Sequence, residues 1–176
     1  MLDMRRAFRD SDRKIWRWRR FIESAYRKGE EVAMFEIMHE FWIRADREKV
    51  FDACATTEGL EAWWTLRTSG GPRLNEEYKF YFSEAHDWRG VARVCQPPRA
   101  IEWEMTNADE DWTHTRVGFE LEPEGEGTRL LFRHSGWRDA NRHFRVSSYC
   151  WATYLRLLKR YVERGEVVAY ADRDEA

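Results

Sequence analysis

The sequence predicts an α+β domain in which a strongly twisted antiparallel sheet closes around one long C-terminal helix. Two observations carry this reading. A first strand and two short helices precede a series of strand-like runs separated only by turns, and nothing alternates strand with helix to build parallel crossovers. From Asp139 to about Arg164 the apolar residues then recur every three or four positions, the mark of a helix long enough to fill the concave side of a curled sheet.

The first strand is marked by alternation of Phe35, Ile37, His39, Phe41 and Ile43 with Glu36, Met38, Glu40, Trp42 and Arg44. Asp46 is placed to cap a short helix, DREKVFDACAT, whose Val50, Ala53 and Cys54 share a face. Thr57 is placed to cap a second, with Glu58 near its positive end. In that helix Leu60, Trp63 and Trp64 stand at i, i+3 and i+4, so both indoles turn to one side. Gly70, Gly71 and Pro72 end the helical stretch. The strand-like runs that follow are EYKFYFSEA, WRGVARVC, RAIEWEMTN, THTRVGFELEP and GTRLLFRHS, the last two joined by the hairpin EPEGEGT. Phe144, Ser147, Trp151, Tyr154 or Leu155, Leu158 and Tyr161 trace the final helix, which Gly165 stops.

With 176 residues, 43% apolar and 15% aromatic, the chain is suited to one compact domain with a real core. It lacks an uncharged apolar run near the roughly 20 residues of a membrane span and lacks the apolar centre of a secretory signal, so a cytoplasmic protein is expected. Cys54, Cys95 and Cys150 are odd in number and widely spaced, which suits buried reduced thiols rather than disulfides or zinc ligands. Formal charge is -2, yet Met1–Lys28 carries ten basic and four acidic residues, a net +6 against -8 for the remainder. Phe8, Ile15, Trp18 and Ile22 fall at helical spacing among these arginines. Three divisions follow: an amphipathic basic arm over 1–33, a domain over 34–168 and a tail over 169–176. The arm has three readings: packing on the body against outward-facing Met38 and Trp42, a translation start that truly lies at Met34, or contact with nucleic acid or a membrane surface. The last is not favoured, because basic patches are weak motifs.

Taken together, IRADREKVFDACATTEGLEAWWT, VCQPPRAIEW, GFELEPEGEGTRLLFRHSGW and WATYLRLLKRYVERG resemble the START-like (SRPBCC, Bet v 1-like) superfamily, in the branch related to the activator of Hsp90 ATPase. The likeness runs from about Met34 to Gly165. It implies a helix-grip fold, with an elongated cavity between the sheet and the C-terminal helix and the double tryptophan closing one end. Asp46 stands where the family commonly has proline, and the basic arm lies outside the pattern. Since the superfamily includes lipid carriers, polyketide cyclases, hormone receptors and co-chaperones, fold does not choose a chemistry.

Histidines 39, 86, 114, 134 and 143 form no close-set ligand spacing, so neither a metal nor any other cofactor is expected, and no G-x-S-x-G, phosphate-binding or dinucleotide-binding loop occurs. Strand parity places His39 and His134 on the inner face. There each is either a neutral hydrogen-bonded core group, a polar contact to a ligand, or a general base. The aromatic residues can equally be core or cavity wall. The expected function is a small-molecule binding protein holding a hydrophobic or aromatic ligand against Trp63, Trp64, Phe82, Trp103, Trp151 and Tyr154, with His39 and His134 as polar anchors and no catalytic residue assigned. One alternative is a polyketide cyclase or dehydratase using an interior histidine. Another is a chaperone-associated interaction protein, with a protein partner or homodimer left open. Membrane insertion is not expected.

Overall fold

The computed structural model describes residues 35–175. The arm expected over 1–33 lies outside them. In chain order the elements are β1 (Phe35–Ile43), α1 (Arg47–Ala55), α2 (Thr57–Trp63), β2 (Arg67–Ser69), β3 (Glu77–Ser83), β4 (His86–Gln96), β5 (Ala100–Asn107), β6 (Arg116–Glu124), β7 (Gly127–Trp137), α3 (Arg142–Arg164) and a 3-10 turn over Tyr170–Glu175. The strands form one antiparallel sheet in the order β1-β7-β6-β5-β4-β3-β2. This is the helix-grip α+β fold expected: the first strand pairs with the last, and α1, α2 and α3 supply the helical cover.

Strand alternation sets the core. On β7, Thr128, Leu130, Phe132 and His134 are all fully buried while the residues between them are partly exposed. Parity then breaks at Gly136, whose φ of +93° is a left-handed conformation that glycine adopts without strain. The β1–β7 register shifts there, Phe35 facing Trp137 but Glu36 facing Ser135, and Trp137 turns inward to 1% exposure. The outer face of the sheet carries cross-strand ion pairs instead. Arg129 bridges Glu40 and Glu122, and Arg133 lies 3.6 Å from Glu36 and 3.9 Å from Glu102. Such pairs add little stability individually.

Helix starts depart slightly from expectation. Asp46 occupies the N-cap of α1 without a side-chain cap bond, and the cap of α2 is Thr56 rather than Thr57, its Oγ1 accepting from Gly59 N at 3.1 Å. Asn141 caps α3 by accepting from Phe144 N at 2.9 Å, and Gly165 ends it at φ +68°. β2 was invisible in the sequence because Arg67, Thr68 and Ser69 have no apolar alternation. β6 begins three residues later than THTRVGFELEP suggests, because Trp112 N and Thr113 N both bond Asp109 O at 2.9 Å and close a turn first. Nor does Trp42 stand clear of the sheet: its indole lies over Gly127 and donates to Glu124 O at 3.0 Å. No helix among the described residues is long and apolar enough to cross a membrane.

Candidate functional site

The space between sheet and α3 is organised by the double tryptophan. Helix α2 is short, but Gly59 lets it lie directly on the α1 backbone: a Cβ there would sit 2.3 Å from Asp52 O. The two indoles stack on each other at 6.0 Å yet meet different partners. Trp63 packs under α1, donating its Nε1 proton to Ala53 O at 2.9 Å and meeting Phe119 edge-on at 6.2 Å. Trp64 reaches the centre, with ring centroids 5.0 Å from Trp151, 5.1 Å from Phe80, 5.5 Å from Phe82 and 6.5 Å from Trp103. Trp63, Trp64, Phe82, Trp103 and Trp151 are thus brought into one aromatic cluster, favourable in its offset and edge-on geometries. Phe82 sits at its partly exposed margin, also touching Trp88 at 5.0 Å.

His134 is a different kind of centre. The Trp151 indole can only donate, so His134 Nδ1, 3.1 Å away, is the acceptor and the remaining proton sits on Nε2. Nε2 then donates to Thr115 Oγ1 at 2.9 Å, and Thr115 passes its own proton to Trp112 O at 2.6 Å. Every group in this chain is satisfied. Burial, helped by the nearby His143, holds the imidazole well below its usual pKa, so it is neutral. With no carboxylate among the described residues bonded to the ring and both nitrogens engaged, it is not arranged to take a proton from a substrate. Thr115 and its relay were missed from sequence because a left-handed His114, φ +71°, precedes Thr115 in the turn that ends Asp109–Thr115.

His39 occupies the same face of edge strand β1, opposite Phe132, with ring centroids 6.1 Å apart. Among the described residues its Nε2 is buried without a partner, as are the indole nitrogens of Trp103 and Trp137. The Tyr78 ring meets Trp103 edge-on at 5.2 Å, and its hydroxyl donates to Ala55 O at 2.8 Å. Tyr154 is half-buried on α3 and lies within electrostatic range of Arg173.

Both ends of α3 are tied down. Trp112 Nε1 donates to Ser147 Oγ at 3.2 Å, and His143 Nδ1 lies 3.1 Å from Asp111 Oδ2. At the other end Arg44 N donates to Glu163 Oε1 at 2.8 Å and Lys159 reaches Trp42 O. Cys54, on the inner side of α1, is fully buried, and desolvation pushes its thiol pKa far up, so it behaves as an apolar group. Among the described residues no three His, Cys, Asp or Glu side chains gather as a metal site.

The comparisons with known proteins agree with this architecture. No curated protein matches the sequence. Among solved structures, the Aha1 dimer from Colwellia psychrerythraea is 30% identical, with a TM-score of 0.69, covering 76% of this chain and 99% of that one. Protein MLL2253 from Mesorhizobium loti is 18% identical with a TM-score of 0.66 over 76% of this chain and 100% of its own. CalU16 from Micromonospora echinospora is 20% identical with a TM-score of 0.64 over 80% and 72%. The last two show the fold alone. Residues 44–163, from the end of β1 to the last turn of α3, match the family described as Activator of Hsp90 ATPase homolog 1-like protein, and the chain belongs to that family within the START-like superfamily.

Proposed function

We propose that this protein binds a small hydrophobic or aromatic molecule between the sheet and α3. The observation that carries the reading is the contrast among buried polar atoms on the inner face. Trp63, Trp112, Trp151, Tyr78 and His134 all complete their hydrogen bonds within the protein, whereas Trp103 Nε1, Trp137 Nε1 and His39 Nε2 find no partner among the described residues. Native interiors rarely leave such groups unpaired, and a bound molecule with a hydroxyl or carbonyl would satisfy them. In this reading Trp64, Phe82, Trp103 and Trp151 provide the aromatic contacts, Trp63 backs them from beneath α1, and Tyr154 adds a half-buried ring on α3. His39 supplies a polar anchor, and His134 acts one step back by orienting Trp151.

Native mass spectrometry of freshly purified protein tests the reading directly, through a co-purified small molecule. Binding of 1-anilinonaphthalene-8-sulfonate with a raised melting temperature supports it, and replacing His39 by Phe, which keeps a ring but removes the unpaired nitrogen, should weaken that binding without lowering stability. The absence of both a co-purified molecule and probe binding would overturn it. The dimer formed by the Colwellia relative supports a second reading, self-association, which light scattering on the purified chain decides.

A further inference from the structure

The family match ends at residue 163, yet a deeply buried charge lies beyond it. Arg173, 3% exposed, donates from Nε to Val168 O at 3.1 Å, from Nη1 to Thr65 O at 3.2 Å and from Nη2 to Glu61 O at 2.6 Å. Among the described residues it has no carboxylate partner, and the Tyr170 ring lies 5.3 Å from its guanidinium carbon. The acceptors explain its position. At the end of α2, both Trp64 N and Thr65 N bond Leu60 O, at 2.9 and 3.0 Å, so the Glu61 carbonyl loses its ordinary helical partner. Arg173 supplies that partner and holds the Thr65 carbonyl as well. A cation at the negative end of a helix is favourable. The two carbonyls lie on either side of Trp64 in the chain, so this one side chain pins the turn that aims Trp64 at the aromatic cluster.

The walls of the interior are unequal. The sheet is continuous, and α3 is tied at both ends. The corner formed by α2 and the three-residue β2 is instead closed by side-chain bonds from Arg173, in a segment whose residues 164–172 are all exposed or half-buried, the kind of element that opens locally at least cost.

We propose that residues 166–175 form a latch on the double-tryptophan turn, with Arg173 as its bolt, and that a small apolar molecule reaches the interior beside Trp64 when the latch releases. This rests on the binding reading above. The test uses the full chain and R173Q, with hydrogen–deuterium exchange over residues 60–68 and stopped-flow binding of 1-anilinonaphthalene-8-sulfonate. R173Q should speed exchange at Trp64 and Thr65 by about tenfold or more while β5 and β6 are unchanged, as expected for loss of charge-assisted bonds. Probe association and dissociation should accelerate by a similar factor, leaving Kd nearly constant. R173K should fall between the two proteins, and it carries the test if R173Q does not fold. Unchanged exchange overturns the bolt. Faster exchange with unchanged probe rates overturns the gate alone. No probe binding by either protein overturns the binding reading, and the gate with it, whatever the exchange shows.

Discussion

Replacing Gly59 by alanine sets two effects of opposite sign against each other. Gly59 lies within α2, where alanine's higher helix propensity would by itself stabilise the protein by about 1 kcal/mol. The new Cβ, however, would meet Asp52 O at 2.3 Å, Ala53 Cα at 2.6 Å and Ala53 O at 2.8 Å. All three are backbone atoms of α1, so no flexible side chain can swing away. The helices must separate by about 1 Å, a form of overpacking that costs roughly 1–3 kcal/mol. Separation also stretches the 2.9 Å bond from Trp63 Nε1 to Ala53 O, with a further cost of about 1 kcal/mol. The net expectation is a loss of about 2 kcal/mol, which for a chain of this size lowers Tm by roughly 4–8 °C. Urea denaturation followed by tryptophan fluorescence measures it. Gly71 is the matched control, since a Cβ there meets nothing within 4 Å and G71A should be nearly neutral. A G59A protein as stable as the parent would refute the close-packing account of the α1–α2 corner.

Three further outcomes are expected. Thr56→Ala removes both the cap bond to Gly59 N and the bond donated to Asp52 O, and should cost about 1–2 kcal/mol, against under about 0.5 for Thr57→Ala, whose hydroxyl meets only the exposed Glu58; reversed urea midpoints would contradict the cap assignment. Buried neutral His134 has a depressed pKa, so the unfolded chain takes up a proton below its ordinary 6.5 that the folded chain refuses. Stability is therefore complete above pH 6.5 and falls as pH drops, by up to about 1.4 kcal/mol per unit; H134Q should flatten that slope between pH 6.5 and 5, and an equal slope in both proteins would argue against it. Cys54, with 0% exposure and its thiol pKa pushed up by burial, should resist iodoacetamide until the protein unfolds, as peptide mass spectrometry can follow; labelling at a native rate would place it at the surface.

Most of the fold was legible because it depends on local periodicity. The alternation through β1 and β7 and the recurrence of Trp151, Leu155 and Leu158 on α3 are consequences of side-chain geometry within one element. The inward turn of Trp63 and Trp64 followed from the same rule, since Leu60 shares their face. Legibility failed where the backbone leaves its regular path. Gly136 reverses strand parity and brings Trp137 inside, which simple alternation does not anticipate. His114 does the same for Thr115, the residue that completes the His134 relay.

The sequence by itself determined the α+β class and most of the strand and helix faces, because these are written in spacing along the chain, and its motifs resemble the family to which the chain belongs. Only the tertiary structure decided which indole of the pair serves which role. Trp63 and Trp64 are adjacent and equally apolar, so nothing local distinguishes them. Contact of Gly59 with the α1 backbone assigns Trp63 to Ala53 O and leaves Trp64 at the centre of the interior. Likewise, Arg173 in sequence is one charge in a short polar tail. It becomes a structural cation only when folding carries it more than a hundred residues back to carbonyls that α2 cannot satisfy for itself.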